Sequence, residues 1–166
     1  MAIIKVIRKI NDIAVIIVIM LLSLFVIMQV FARYVFNHPL MWSEEICRYL
    51  QIWMVMLGGA VVMRKGGHLA IDIVTAMLPK KAKWCTDLIA FIATIIFFAI
   101  VFYFGIQVAQ NAGRQTSPAV RIPMVYVYSA LPVGGALILM ETLIRFVRFL
   151  RTGNANEPKE EKGEEV

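Results

Sequence analysis

Apolar and polar residues alternate along this chain in long blocks, not at the short periods that are typical of soluble helices and strands. Four blocks contain almost no charge: 13–32, 46–63, 88–108 and 125–144. Each is close to the ~20 apolar residues that an α-helix needs to cross the hydrocarbon core of a bilayer. The second block is the shortest, and Arg48 lies near its start. The pattern predicts an all-α membrane protein with four transmembrane helices.

Composition agrees with a membrane protein, and the first block is predicted to be a retained span. Of the 166 residues, 60% are hydrophobic, and the mean hydropathy is +0.76. A soluble domain of this length would be far more polar. Lys5, Arg8 and Lys9 precede the first block, as in a signal peptide. The block is too long for a signal-peptide core, however, and it runs into Arg33 and Tyr34 without a small-residue cleavage pattern.

The basic residues predict the orientation of the chain. Thirteen of the 17 Lys and Arg residues lie before the first block, between the second and third, or after the fourth. Only four lie in or beside the other two connections. Because cytoplasmic loops carry the excess of Lys and Arg, both termini are predicted to be inside. The net charge of +6 follows this topology, so we expect no nucleic-acid partner.

The connection between the second and third spans predicts a short amphipathic helix on the cytoplasmic side. His68, Asp72 and Thr75 share one helical face, and apolar residues lie on the neighbouring face. His68 and Asp72 are either two metal ligands or a hydrogen-bonded surface pair. Two ligands are few for a metal site, so the pattern favours the surface pair.

The end of the chain differs from the rest in composition. Residues 153–166 are polar and of low complexity, which predicts a disordered cytoplasmic tail. Residues 1–152 then form a single transmembrane domain.

The first hairpin, from Arg33 to Arg48, is unusually rich in charge. Ser43 is predicted to cap the second helix, and Glu44 and Glu45 suit the positive end of its dipole. Glu44 and Arg48 are four positions apart, so they are expected to pair on one helix face. Charges this dense beside lipid are usually paired or buried in protein. The hairpin therefore predicts a surface against which another protein packs.

Small residues predict where helices approach one another closely. They form two groups, Gly58-Gly59-Ala60 in the second span and Gly105, Ala109 and Gly113 near the end of the third. Pro132 and Gly134-Gly135 would allow a kink in the last span.

Isolated polar residues in and near the spans leave several interpretations open. Gln29 is expected to bond to a neighbouring helix or to lie near the interface. Glu141 is four positions before Arg145, a spacing that favours a helical ion pair over a proton-coupling carboxylate. In the last outer connection, Arg114 and Arg121 contact either an acidic partner or lipid headgroups and solvent.

Motifs for catalysis are absent from the sequence, which predicts that the chain is not an enzyme. There is no GxSxG, HExxH, CxxC or phosphate-binding loop. Cys47 and Cys85 are expected at opposite ends of spans, too far apart for a disulfide. With no ionisable residue near the centre of a span, a stand-alone carrier or a charged ion channel is disfavoured. Two classes of function remain: a subunit that supports another protein, and an assembly factor for a different complex.

The hairpin and second span resemble the small membrane subunit of tripartite ATP-independent periplasmic (TRAP) transporters. The resemblance covers most of the chain and weakens after the third span. The matching residues, in order, are Arg33, Phe36, Pro39, Leu40, Trp42, Glu44, Glu45, Arg48, Trp53, Gly58, Arg64, His68 and Asp72.

The resemblance implies a three-part secondary transporter in the bacterial inner membrane. It implies a periplasmic receptor that captures an organic acid, such as a C4-dicarboxylate, another carboxylate or a sialic acid. A large membrane subunit would hold the substrate and sodium sites and move as an elevator. This chain would be a stationary scaffold with no cofactor and no substrate-binding residue, although membrane lipids surround it and a phospholipid could bind.

The resemblance and the charge pattern together suggest two groups of interface residues. Arg114 and Arg121 are predicted to help dock the receptor. The residues predicted to shape the chain and its contact with the large subunit are Arg33, Trp42, Glu44, Glu45, Arg48, Gly58, Gly59, His68, Asp72, Gly105 and Ala109.

Overall fold

The computed structural model describes residues 2–37, 40–65 and 80–152. Its helices are α1 (Ala2–Tyr34), α2 (Met41–Lys65), α3 (Lys80–Asn111), α4 (Val125–Tyr128) and α5 (Ala130–Thr152), with a 3₁₀ turn at Ala112–Arg114. Within these ranges there are four candidate spans, with α4 and α5 together forming the last, which confirms the predicted number. The predicted amphipathic helix with His68 and Asp72, and the predicted tail 153–166, lie outside the described residues.

The long helices pack side by side in the order α1, α2, α5, α3. Among the described helices, α1 packs its backbone only against α2, and α3 packs mainly on α5. The last described helix, α5, therefore lies between α2 and α3. An edge position leaves most of α1 exposed, and its apolar side chains point outwards around much of the helix. Such a surface suits lipid or another apolar helix.

Two adjacent glycines let α5 approach both of its neighbours. A Cβ on Gly134 would lie 2.4 Å from the Cβ of Met56 in α2, and a Cβ on Gly135 would lie 3.5 Å from the backbone of Phe102 in α3. The small residues thus mark contact points on the two flanks of α5. The interruption in the last span lies before them, at Ser129. Pro132 has no N–H to donate to the carbonyl three to four residues earlier, which accounts for a break at this place.

Aromatic side chains fill the contact between α3 and α5 near one end. The Phe91 and Phe149 rings are 5.5 Å apart, and Trp84 stacks on Phe149 at 5.9 Å. Phe91 and Phe149 are both fully buried. This cluster, together with Ile138 where α5 meets α2, forms much of the apolar core of the described residues.

Candidate functional site

The polar residues of this fold gather at its two ends. We call the end that contains the α1–α2 connection and the loop after α3 the hairpin end. The opposite end, with the start of α1 and the end of α5, is the tail end. The residues that the sequence singled out for partner contact lie mostly at the hairpin end.

At the hairpin end, Glu45 holds the loop that follows α3. Its carboxylate accepts hydrogen bonds from the backbone N–H groups of Ala119 and Val120, at 2.9 and 3.0 Å, and from the Tyr49 hydroxyl at 2.5 Å. Glu45 is only 8% exposed. Charge-assisted bonds to two adjacent N–H groups are stronger than neutral ones. Glu45 therefore fastens residues 119–120 to the first turns of α2, 74 positions earlier.

The fastened loop is also bonded to itself. Gln115 accepts from the N–H of Met124, and Ser117 donates to the carbonyl of Ile122. The N–H of Arg121 donates to the carbonyl of Ser117, which closes a tight turn. Arg121 has a φ of 59°, in the left-handed region that favours glycine. We call residues 115–124 the clamped loop.

The basic residues of the hairpin end differ in their partners. Arg33 pairs with Glu44 at 2.5 Å, so the predicted pair between Glu44 and Arg48 is wrong. Arg48, Arg114 and Arg121 are exposed and form no ion pair with a residue that the structure describes. The geometry explains the error, because the end of α1 brings Arg33 next to the start of α2.

The predicted cap at Ser43 is also wrong. Helix α2 begins at Met41, and the N–H groups of Ser43 and Glu44 both donate to the carbonyl of Leu40. Ser43 is fully buried, and its hydroxyl has no hydrogen-bond partner among the described residues. The helix therefore starts three residues earlier than a cap at Ser43 would require.

Further side chains tie α2 to its surroundings near the hairpin end. Gln29 of α1 donates to the sulfur of Cys47 at 2.9 Å, which confirms its predicted bond to a neighbouring helix. Trp42 packs edge-on against Phe25, with ring centres 6.3 Å apart. Trp53 donates from its ring nitrogen to the carbonyl of Tyr126 at 3.2 Å.

At the tail end, two ion pairs reach across the layer to α1. Arg8 binds both oxygens of Glu141 in α5, at 2.7 and 2.6 Å, and Arg64 of α2 binds Asp12 at 2.6 Å. The predicted helical pair between Glu141 and Arg145 is therefore wrong, and Arg8 takes that place. Arg145 instead donates to the carbonyl of Met63 at 2.9 Å.

Asn11 lies between these two ion pairs and is buried. Its side-chain N–H donates to the carbonyl of Leu57 at 3.2 Å, adding a third polar link from α1 to α2. No bond between helices was predicted from the sequence for Arg8, Asn11, Asp12 or Tyr49. The spacing of Arg8 and Asp12 places them on one helix face, but it would have predicted a pair between them, whereas each binds a residue of a different helix.

The predicted small-residue contacts lie partly within the chain itself. A Cβ on Gly59 would be 2.9 Å from the Ile138 side chain, and one on Gly105 would be 3.0 Å from Leu131. Ala109 is buried, whereas a Cβ on Gly58 or Gly113 would meet nothing within 4 Å. Gly59 and Gly105 thus serve packing onto α5, and Gly58 faces open space.

The candidate site has the chemistry of contact surfaces. Among the described residues, no group of three His, Cys, Asp or Glu side chains is placed to hold a metal ion. The polar groups described above bind one another across helices, and the exposed arginines lie around the clamped loop.

A comparison with known protein families decides the class of this chain. Residues 6–152 match the family described as tripartite ATP-independent periplasmic transporters, DctQ component. The chain belongs to this DctQ family. It is therefore a transporter component and not an enzyme, and its four apolar helices make it a multi-pass protein of the bacterial inner membrane.

Individual DctQ relatives match most of the chain. The sialic acid TRAP transporter small permease protein SiaQ of Vibrio cholerae is 28% identical over 151 residues, covering 89% of this chain and 87% of the relative. The C4-dicarboxylate small permease protein DctQ of Rhodobacter capsulatus is 31% identical, covering 69% and 51%. The sialic acid TRAP transporter permease protein SiaT of Haemophilus influenzae is 31% identical, covering 80% of this chain. The chain spans only about a fifth (21%) of the length of SiaT.

Proposed function

We propose that this chain is the small scaffold subunit of a sodium-coupled TRAP transporter that imports an organic acid. The DctQ family match over residues 6–152 carries the proposal. The large membrane subunit holds the substrate and the sodium ions, and this chain gives it a fixed surface in the membrane. The hairpin end faces the periplasm, as the basic residues predict, and helps to dock the receptor.

The relatives support a large membrane partner. The segment matched in SiaT is 21% of that permease, and the segment matched in the isethionate TRAP transporter permease protein DctMQ of Oleidesulfovibrio alaskensis is 16%. In both relatives, a segment like this chain is joined to a much longer stretch of the same polypeptide. Segments joined in one protein commonly work side by side, so a separate small chain is expected to bind a large one.

The state of the carboxylates supports placing transport chemistry in the partner. The described ranges contain five acidic residues, and each has a partner within the chain. Ionisable residues within membrane spans usually mark the paths of ions and substrates. Carboxylates that are paired within the chain suit a rigid scaffold instead.

The names of the relatives support an organic acid as the substrate class. Sialic acid, C4-dicarboxylate and isethionate each carry an acidic group. We expect a C4-dicarboxylate, another carboxylate or a sialic acid, with specificity set by the receptor and the large subunit. No cofactor is expected on this chain, and phospholipids cover its apolar faces.

Purification from a mild detergent tests the proposal. We expect a large, many-spanning membrane protein to co-purify with this chain. Uptake of an organic acid into proteoliposomes should need both membrane chains, the receptor and a sodium gradient. A chain that purifies alone and transports by itself would contradict the scaffold assignment.

A further inference from the structure

We propose that Glu45 and Tyr49 are positioning residues that hold Arg121 as a preformed contact for an acidic surface of the periplasmic receptor. This inference rests on the proposed function, in which the hairpin end docks the receptor. It gives a role to the buried carboxylate of Glu45, which binds backbone N–H groups outside its own helix α2.

The clamp fixes the loop immediately before Arg121. Glu45 accepts from two consecutive backbone N–H groups of the clamped loop, and Arg121 follows them directly in the chain. Tyr49 donates to the same carboxylate, and its hydroxyl also lies 3.4 Å from the sulfur of Met124 at the end of the loop. The loop thus has its shape before any partner arrives. A preformed loop loses less conformational freedom on binding, so more of the contact energy remains as affinity.

Arg121 has an unusual backbone conformation. Its φ of 59° is disfavoured for a residue with a Cβ, and glycine would adopt it without strain. The bond from its N–H to Ser117 and the clamp on Ala119 and Val120 impose this conformation. Observed strain of this kind motivates a functional hypothesis. A glycine at position 121 would remove the strain but also the exposed guanidinium, so we infer that the guanidinium is the functional part of Arg121.

The charge of the hairpin end also favours an acidic partner. Arg114 and Arg121 are exposed and make no ion pair with the described residues, while Glu44 is paired with Arg33 and Glu45 is bound to the clamped loop. The described part of the hairpin end therefore presents unpaired positive charge. Complementary charge accelerates association and sets the register of two proteins. The geometry fits an acidic patch on a soluble protein that approaches from the periplasm.

Receptor binding by the complex of both membrane chains in nanodiscs of uncharged lipid tests this inference. The probe is the ligand-loaded receptor that supports uptake with this permease. We expect Arg121→Gly to weaken receptor binding roughly tenfold and to reduce its salt dependence, while the thermal stability of the complex stays equal or rises. Glu45→Gln should also weaken binding, because a neutral amide removes the charge that strengthens the two N–H bonds, and an amide oxygen facing those N–H groups leaves its NH₂ facing the Tyr49 hydroxyl.

A double-mutant cycle separates positioning from general destabilisation. If Glu45 acts through Arg121, then adding Glu45→Gln to Arg121→Gly should cost little further affinity. Tyr49→Phe gives a milder loss of the clamp if Glu45→Gln does not assemble, and Tyr34→Phe, at an exposed tyrosine at the end of α1, is the matched control that should retain receptor binding.

Three outcomes would overturn the inference. Arg121→Gly could bind the receptor as tightly as the wild type, or the effects of Glu45→Gln and Arg121→Gly could be fully additive. The effect of Arg121→Gly could also appear only in nanodiscs with anionic lipid, which would make the loop a lipid contact. A wild-type complex that does not bind the receptor at all would instead contradict the proposed function.

Discussion

Arg8 and Glu141 bind each other through two hydrogen bonds of 2.7 and 2.6 Å, although 133 positions separate them in the chain. The Glu141 side chain is 4% exposed and that of Arg8 is 28% exposed. The pair joins the first helix to the last, whose backbones do not pack against each other. It is thus a polar link between the edge of the layer and its centre.

Removing Arg8 should destabilise the fold more than removing the whole pair. Arg8→Ala leaves a buried carboxylate without its cation, and such losses cost about 3 kcal/mol. Arg8→Ala combined with Glu141→Ala should recover part of that loss. Thermal unfolding in detergent measures the difference, with the exposed Lys9→Ala as a control. Equal losses for the single and double variants would show that the charge of Glu141 is satisfied in another way.

The glycines of α2 and α5 should respond very differently to the same added methyl group. Gly134→Ala places a Cβ 2.4 Å from that of Met56, so α2 and α5 must separate, at a cost of roughly 1–3 kcal/mol. Gly58→Ala meets nothing within 4 Å and should be neutral or slightly stabilising, because alanine favours the helix. Gly59→Ala meets only the flexible end of Ile138 and should lie between them. Melting temperatures of the three variants, measured together, check this order.

Arg48 should matter for the complex with the large subunit rather than for the fold. It is exposed and has no ion pair within the described residues, so Arg48→Ala should leave the melting temperature of this chain nearly unchanged. It should nevertheless lower the yield of the large subunit in a pull-down. Arg33→Ala is the comparison variant for the melting temperature, because it breaks the exposed pair between Arg33 and Glu44. Such an exposed pair contributes at most about 1 kcal/mol to the free energy of unfolding. Unchanged complex yield and uptake with Arg48→Ala would remove Arg48 from the interface.

The orientation of the chain can be read by thiol labelling of whole cells. In a background with Cys47→Ala and Cys85→Ser, a thiol from Gln115→Cys should react with an impermeant maleimide added outside. A thiol from Lys5→Cys should react only after the membrane is opened. Both residues are exposed, so access depends on the side of the membrane. The reverse labelling pattern would invert the predicted topology and move the clamped loop to the cytoplasm.

The four spans could be predicted because the length of an apolar block is a local property. The ion pairs between helices could not be predicted in the same way. The spacing of Glu44 and Arg48 suggested a bond along one helix, but Arg33 reaches Glu44 from the preceding helix. Periodicity shows which residues share a face, and it does not show which helix lies opposite that face.

The bonds from Glu45 to the clamped loop could not be predicted either, because the two segments are far apart in the sequence. Glu45 suits the start of a helix by its charge alone, and the sequence analysis gave it that role and a place in the predicted interface. Its hydrogen-bond partners, Ala119 and Val120, donate from the backbone, so their side chains give no signal in the sequence. Tyr49 was missed because a tyrosine near the end of a span usually indicates an interfacial anchor.

The position of α5 between α2 and α3 also determines the order in which the molecule can be completed. Synthesis delivers the N-terminal part first, so α1 and α2 can pair as soon as both have entered the bilayer. Helix α3 enters before the helix on which it mainly packs. Until the ribosome has made α5, α3 waits beside lipid or the insertion machinery, and the glycines at 134 and 135 then close both contacts together. A ribosome that stops before Ala130 would therefore leave α2 and α3 joined, within the described residues, only through the clamped loop and the bond from Trp53 to Tyr126, without the helix that packs on both.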